Sequence, residues 1–147
     1  VKLYVVGQRP PGKVKDLARD PHVIVTGMVE DVRSYYLRSA VAICPIRFGA
    51  GTLNKVIESL ALGVPVVSTS QGCTGMRVKH GRDLLIADEP EEFAARVIEL
   101  MENRALRDTL SAHGRQLVER EHDWEDIVSR LEEIYYEVLD ERASRRG

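Results

Sequence analysis

The sequence predicts an α/β domain: a doubly wound parallel sheet with flanking helices and a C-terminal helical tail. Two patterns carry that reading. Short β-rich runs recur about every twenty residues. Amphipathic helical patterns fill the spaces between them, which is how alternating strands and helices build a parallel sheet. The last third then turns wholly helical.

The strand runs are residues 2–6, 23–26, 41–45, 65–69 and 84–87. The middle three are nearly continuous apolar stretches, as strands buried on both faces require. Asp31 is placed to cap a helix running through residue 39, with Val32, Tyr35 and Tyr36 on one side. Thr52 is placed to cap a second helix. Its stripe is Leu53, Val56, Ile57, Leu60 and Ala61, spaced as one helical face. Gly63 stops that helix and Pro65 follows. Pro90 suits a helix first turn, and Glu91 and Glu92 complement its dipole. Phe93, Val97, Ile98 and Met101 form the expected apolar face. A further helix spans about residues 106–120. A last one starts near Asp123 and carries Trp124, Ile127, Val128, Leu131, Ile134, Tyr135, Val138 and Leu139. Residues 141–147 are charged and expected to fray.

The chain has 147 residues, 44% hydrophobic and 30% charged, with 21 basic and 23 acidic side chains and a net charge of −2. That length suits one domain with a sizeable core. The charge balance excludes a globally basic nucleic-acid binder, and no nucleic-acid partner is expected. No apolar run reaches the roughly 18 residues of a membrane span. Cys44 and Cys73 form no CxxC pair, so a reducing, cytoplasmic setting is expected. No secretory signal opens the chain, which lacks an initiator Met and begins in an apolar strand. It reads as a piece of something longer.

The informative segment is residues 45–58, PIRFGAGTLNKVIE, running from a strand end through a Gly-rich loop into a helix. Ligands of open α/β sheets bind outside the carboxyl ends of the strands. Gly49 and Gly51 allow close backbone approach there, and free N–H groups at a helix start favour an anion. Lys55 lies in the first turn of that helix, against the macrodipole, at a cost of about 0.3–1 kcal/mol. A bound anion turns the misplaced cation into a ligand. The bland alternatives are extension into solvent or an i,i+3 pair with Glu58. Glu58, off the apolar stripe, suits ribose hydroxyls, or else a plain solvated helix face. The GxxxxGK[ST] spacing of a Walker loop is absent. The loop at residues 68–76 carries hydroxyls and two glycines, fit for sugar or phosphate contacts or for ordinary turns. Cys73 with His80 nearby is a weak candidate for nucleophilic chemistry. His22, His80, His113 and His122 lack metal-ligand spacing, so no metal is expected. The GQRPPGK loop after the first strand is weak evidence for phosphate contact.

Several of these motifs resemble the donor-binding half of GT-B glycosyltransferases, of the large retaining "glycosyl transferases group 1" family. The segment Ile57-Glu58-Ser59-Leu60-Ala61-Leu62-Gly63-Val64-Pro65-Val66-Val67 resembles that family's LE-A-x-A-x-G-x-PVV core. Gly81-Arg82-Asp83-Leu84-Leu85-Ile86-Ala87-Asp88 is similar to its G-x-x-L-L-x-x-D segment. The first strand resembles its LYIVG strand, and Val25-Thr26-Gly27-Met28-Val29 its V-x-x-G-x-V turn. The resemblance covers almost the whole chain.

It implies a Rossmann-like GT-B C-terminal domain lacking its first strand and helix. Residues 1–122 then form a partial nucleotide-sugar-binding domain, and residues 123–147 a helix crossing towards an N-terminal domain outside the chain. The missing strand leaves a slot between the first and third strand runs, with self-association as one expected result. The implied activity is transfer of a hexose-type sugar from a nucleoside-diphosphate sugar to a glycan or lipid-linked acceptor, in the longer protein and not in this piece alone. No cofactor is implied; the nucleotide sugar is substrate. A membrane-peripheral position of the longer protein is compatible with this. Donor contacts fall on Glu58 for the ribose, Lys55 near the diphosphate, the loop Gly49, Ala50, Gly51 and Thr52, and Gly27, Met28 and Val29 at the base. The family's first Glu of its paired carboxylates falls on Ala50, which puts donor identity in doubt, and no catalytic base is identified. The alternatives are a non-catalytic or degenerate α/β nucleotide-binding module and a fragment of a GT-B sugar-nucleotide epimerase. Sparse histidine argues against the epimerase. The absence of an acidic cluster after the first strand argues against a receiver-like module.

Overall fold

A computed structural model describes residues 1–48 and 54–144. The Thr52 cap, Leu53 and the loop residues Gly49, Ala50, Gly51 and Thr52 lie outside the described residues, as do residues 145–147. The strands are β1 (Leu3–Val6), β2 (Val23–Gly27), β3 (Ala42–Cys44), β4 (Val66–Ser68) and β5 (Leu85–Ile86). The helices are α1 (Gly12–Lys15), α2 (Arg33–Leu37), α3 (Asn54–Ala61), α4 (Pro90–Glu102), α5 (Arg104–Glu121) and α6 (Trp124–Ser144). All pairings are parallel.

The strands fall into two sheets, β1-β2 and β3-β4-β5. The two strands expected to flank a slot, β1 and β3, fall in different sheets. Leu3, Tyr4 and Ile43, on those two strands, are exposed. In β4 the run of apolar residues has its reason. Val66 packs in a cluster with Val56, Leu60, Leu84 and Val118. Val67, its neighbour, packs in a second cluster with Leu85, Leu100 and Leu110. Successive side chains point to opposite faces, so both faces of this sheet are covered. A bulge sets Val5 opposite Val25 but Val6 opposite Gly27.

Helix α2 ties the halves together. The Tyr35 ring meets Tyr4 of β1 edge-on, with centroids 5.8 Å apart. Tyr36 packs on the first core cluster. This helix is shorter than expected. Asp31 does accept a hydrogen bond from Arg33 N–H at 2.9 Å, but the helix begins at Arg33 and ends at Leu37. Two apolar faces also need correction. On α3, Ala61 is exposed and Ser59 is buried in its stead. The Ser59 hydroxyl tolerates burial by donating to Lys55 C=O at 2.7 Å. On α4, Ile98 is exposed while Leu100 is fully buried. Gly63 ends α3 with φ +69°. Hydrogen bonds from Gly63 N to Leu60 O and from Val64 N to Ser59 O close the end, both 2.9 Å.

The tail follows the pattern read from the residues. Pro90 opens α4 with Glu91 and Glu92 in the first turn. Asn103 caps α5 by accepting from Leu106 N–H at 3.0 Å, and Arg107 Nη1 donates back to the α4 carbonyls of Leu100 and Met101. Asp123 accepts from Glu125 N–H at the start of α6. Helix α6 continues to Ser144, where fraying was expected from residue 141. Its apolar stripe, from Trp124 to Leu139, is exposed. Among the described residues, no helix is long and apolar enough to cross a membrane.

Helix α5 crosses α3 at Gly114. A Cβ added there would lie 2.6 Å from Leu60 Cδ2 and 2.9 Å from the backbone oxygen of Asp83. Glycine-to-alanine changes in helices ordinarily stabilise by about 1 kcal/mol. Here Gly114→Ala is expected to destabilise by about 1–3 kcal/mol through overpacking. Urea unfolding of the two proteins gives the sign; a gain in stability contradicts the crossing.

Candidate functional site

In each parallel sheet the loops that leave the strands' carboxyl ends share one edge. Helix α3 starts at the carboxyl end of β3. Its buried face is fixed by Val56 and Leu60, both 0% exposed. That rotation leaves Lys55 and Glu58 on the outer side, where both are exposed. No ion pair joins them, and neither side chain hydrogen-bonds to another described residue. The i,i+3 pair that would have satisfied both is therefore not formed. A lysine in the first turn of a helix, against the dipole, stands without a counter-charge among the described residues.

Glu58 has a neighbour that the sequence did not announce. The Tyr36 phenol stands beside Ser59 and Glu58. Burial pushes the Tyr36 phenol up, Ser59 opposes this, and the Glu58 carboxylate adds to the rise. The Glu58 carboxyl oxygens are acceptors with no hydrogen bond to another described residue, and so are open to a ligand's hydroxyls.

Gly27 ends β2 of the other sheet, and Met28 and Val29 follow it. Gly27 takes φ +72°, a value that favours glycine, and the chain turns there. Met28 is left 80% exposed while Val29 is half-buried. The described structure thus places three of the nine expected donor contacts on this turn and two on α3. The remaining four, Gly49, Ala50, Gly51 and Thr52, lie outside the described residues.

Two polar ties hold the neighbouring loop in place. Thr69, almost buried after β4, donates through Oγ1 to Ile46 C=O at 2.6 Å and accepts from Gly72 N–H at 3.1 Å. Asp88, after β5, accepts from both the N–H and the hydroxyl of Ser70, at 2.8 and 2.9 Å. The carboxyl ends of β3, β4 and β5 are so locked to one another beside the start of α3. Neither tie was legible in the sequence, because the partners stand 23 and 18 residues apart.

The Cys73–His80 candidate does not assemble. His80 Nδ1 accepts from Ile86 N–H at 2.9 Å and serves β5. Cys73 is buried, and burial pushes its thiol up. Cys44 is buried too, its thiol pushed up to about 11 by desolvation, against the pull of Lys55. Neither is a thiolate near neutral pH, so neither is an activated nucleophile. Among the described residues, no group of three or more His, Cys, Asp or Glu converges on a common point.

Residues 1–103 match the family model described as "Glycosyl transferases group 1". The chain belongs to the glycosyl transferases group 1 family. Its relatives include the capsular polysaccharide biosynthesis glycosyltransferase CapM of Staphylococcus aureus, 31% identical over 96% of this chain and 39% of that protein. The uncharacterized glycosyltransferase MJ1178 of Methanocaldococcus jannaschii is 28% identical over 76% of the chain and 32% of its own length. Among solved structures, sucrose-phosphate synthase of Thermosynechococcus elongatus superposes with a TM-score of 0.80 at 22% identity, over 95% of this chain and 39% of that one. Anabaena HepE in complex with UDP gives 0.83 at 18% identity, over 93% of this chain and 41% of its own. The chain thus spans about a third to two fifths of these proteins. At that identity the superpositions establish the fold, and this group 1 glycosyltransferase chain has the parallel α/β fold of GT-B enzymes.

The buried thiol makes a pH test possible. A thiol raised from its ordinary value of about 9 to about 11 favours the folded state fully below pH 9, and this contribution is lost as pH rises through 11. Stability against urea is expected to fall across that window, and Cys44→Ala is expected to flatten the fall. An equal slope in the variant contradicts a titrating Cys44.

Proposed function

We propose that this chain binds the nucleotide-sugar donor of a glycosyltransferase that transfers a hexose-type sugar to a glycan or lipid-linked acceptor. The observation that carries the reading is Lys55 and Glu58, one turn apart at the start of α3, both exposed and unpaired among the described residues. Lys55 meets the diphosphate, where its charge against the dipole becomes useful. Glu58 accepts from the ribose hydroxyls, and the Gly27–Val29 turn meets the base. Gly49, Ala50, Gly51 and Thr52 complete the phosphate loop in this reading.

The chemistry is electrostatic. As the bond between the donor sugar's anomeric carbon and the diphosphate oxygen breaks, the acceptor hydroxyl oxygen bonds that carbon and gives up its proton, and negative charge grows on the leaving diphosphate. An ammonium and free N–H groups at a helix start stabilise that charge more than they stabilise the ground state. Acceptor binding belongs, on this proposal, to sequence outside these 147 residues, with residues 123–147 leading towards it. HepE was crystallised with UDP and with UDP-glucose, and TarM of S. aureus with UDP; these support a nucleoside-diphosphate donor here. The donor sugar is substrate, and no resident cofactor or metal enters the reading. Two free, buried cysteines support a reducing, cytoplasmic setting.

UDP binding measured by calorimetry tests the assignment. Lys55→Ala is expected to weaken it by about 1–3 kcal/mol, the range of a charge-assisted contact. Glu58→Gln is expected to weaken UDP more than its 2′,3′-dideoxy analogue. Unchanged binding in Lys55→Ala contradicts the diphosphate contact. Equal losses for both ligands in Glu58→Gln contradict the ribose contact and make Glu58 a structural residue beside Tyr36.

A further inference from the structure

A second polar opening has a lining that includes no residue of α3. A cavity of about 390 Å³ opens between the loop after β4, the end of α5 and the second turn of α6. Its lining is Gly75, Arg77, Arg120, Glu121, His122 and Arg130. None of these residues is among the expected donor contacts. Three arginines from three separate elements therefore line one opening.

Their partners decide what the opening is for. Arg120 is satisfied within the site, its Nη2 3.1 Å from Glu121 Oε1. It also stands in the last turn of α5, where a cation suits the dipole. Arg77 and Arg130 have no ion pair or hydrogen bond to any described residue. Carboxylates were within reach by position: Asp126 precedes Arg130 by one turn of α6 and Glu133 follows it by three residues. Such spacings commonly pair on a helix, yet Arg130 pairs with neither. The three arginines and one glutamate of the lining sum to a charge of +2. With Arg120 paired to Glu121, Arg77 and Arg130 are the two cations of the lining without a counter-charge among the described residues. Guanidinium groups present planar forks of N–H donors that match the oxygens of phosphate.

We propose that this cavity binds a dianionic phosphate group, held by Arg77 and Arg130 with Arg120 and Glu121 fixing the floor. The charge selects a phosphate monoester or diphosphate over a single carboxylate, which would leave one positive charge uncompensated. Such a group is carried by soluble phosphorylated compounds and by phosphate-monoester lipids alike, and the test separates the two sources.

The 147-residue chain is titrated with inorganic pyrophosphate while its amide resonances are followed. In a second arm it is sedimented with phosphatidylcholine vesicles containing phosphatidic acid. Both arms are repeated with Arg77→Gln/Arg130→Gln; these exposed side chains lie outside both core clusters, and circular dichroism verifies the fold. The expected result is saturable shifts at Gly75, Arg77, His122 and Arg130, weakened about tenfold or more in the double variant. Shifts at the start of α3 remain unchanged by it, which separates this cavity from the donor site. Vesicle binding lost in the double variant, without pyrophosphate shifts at the cavity, supports the site with a lipid source. No shift at these residues together with no vesicle binding overturns the proposal. Equal binding by the double variant in both arms overturns it as well.

Discussion

Leu60 sets the orientation on which the site depends. It is fully buried, packed with Val56, Val66, Leu84 and Val118, and α5 approaches it closely enough that only glycine fits at position 114. With that crossing fixed, helix α3 cannot roll. Lys55 and Glu58 are then held outward at the carboxyl end of β3. Burial of Leu and Val side chains contributes about 1.5–3 kcal/mol each, far more than the dipole costs Lys55. The core can therefore hold a cation in an unfavourable place, and a binding site is where such a placement has a use.

The same packing explains why the loops beside α3 carry polar ties as well as the apolar contacts of Ile46, Cys73 and Met76. Residues 68–76 leave a strand buried on both faces, so their backbone groups start in a region without water. Thr69 satisfies Ile46 C=O and Gly72 N–H together, and Asp88 satisfies Ser70 twice. Buried polar groups need such partners. The by-product is a rigid rim beside the start of α3, which is the condition for preorganised electrostatic stabilisation of a leaving diphosphate.

Legibility in the sequence followed the range of the interactions. Strand β4 was plain because both of its faces are buried, which makes Val64, Pro65, Val66 and Val67 a continuous run. The end of α3 was plain because Gly63 is a local signal. The exposed side of a helix was less so: Ile98 and Leu100 both lie near the α4 stripe, and only the packing of Val67 and Leu110 decides for Leu100. Lys55 stood out because it opposes a local dipole, and the family motifs gave it a role. Thr69, Asp88, Tyr36 beside Ser59, and the arginines of the second cavity left no trace, since each depends on residues distant in the chain. The division into two sheets is likewise a matter of long-range pairing. The resemblance anticipated a gap between β1 and β3; the local patterns of the two strands did not.

The central claim is that a nucleoside diphosphate binds across the carboxyl ends of the strands, at α3 and at the turn after β2. The most direct measurement is a map of amide shifts on adding UDP. The account predicts that Lys55, Val56, Gly27, Met28 and Val29 move together and saturate at one concentration, although they lie in separate sheets. Shifts confined to α3 and absent from the β2 turn, or confined to the cavity lined by Arg77 and Arg130, contradict it.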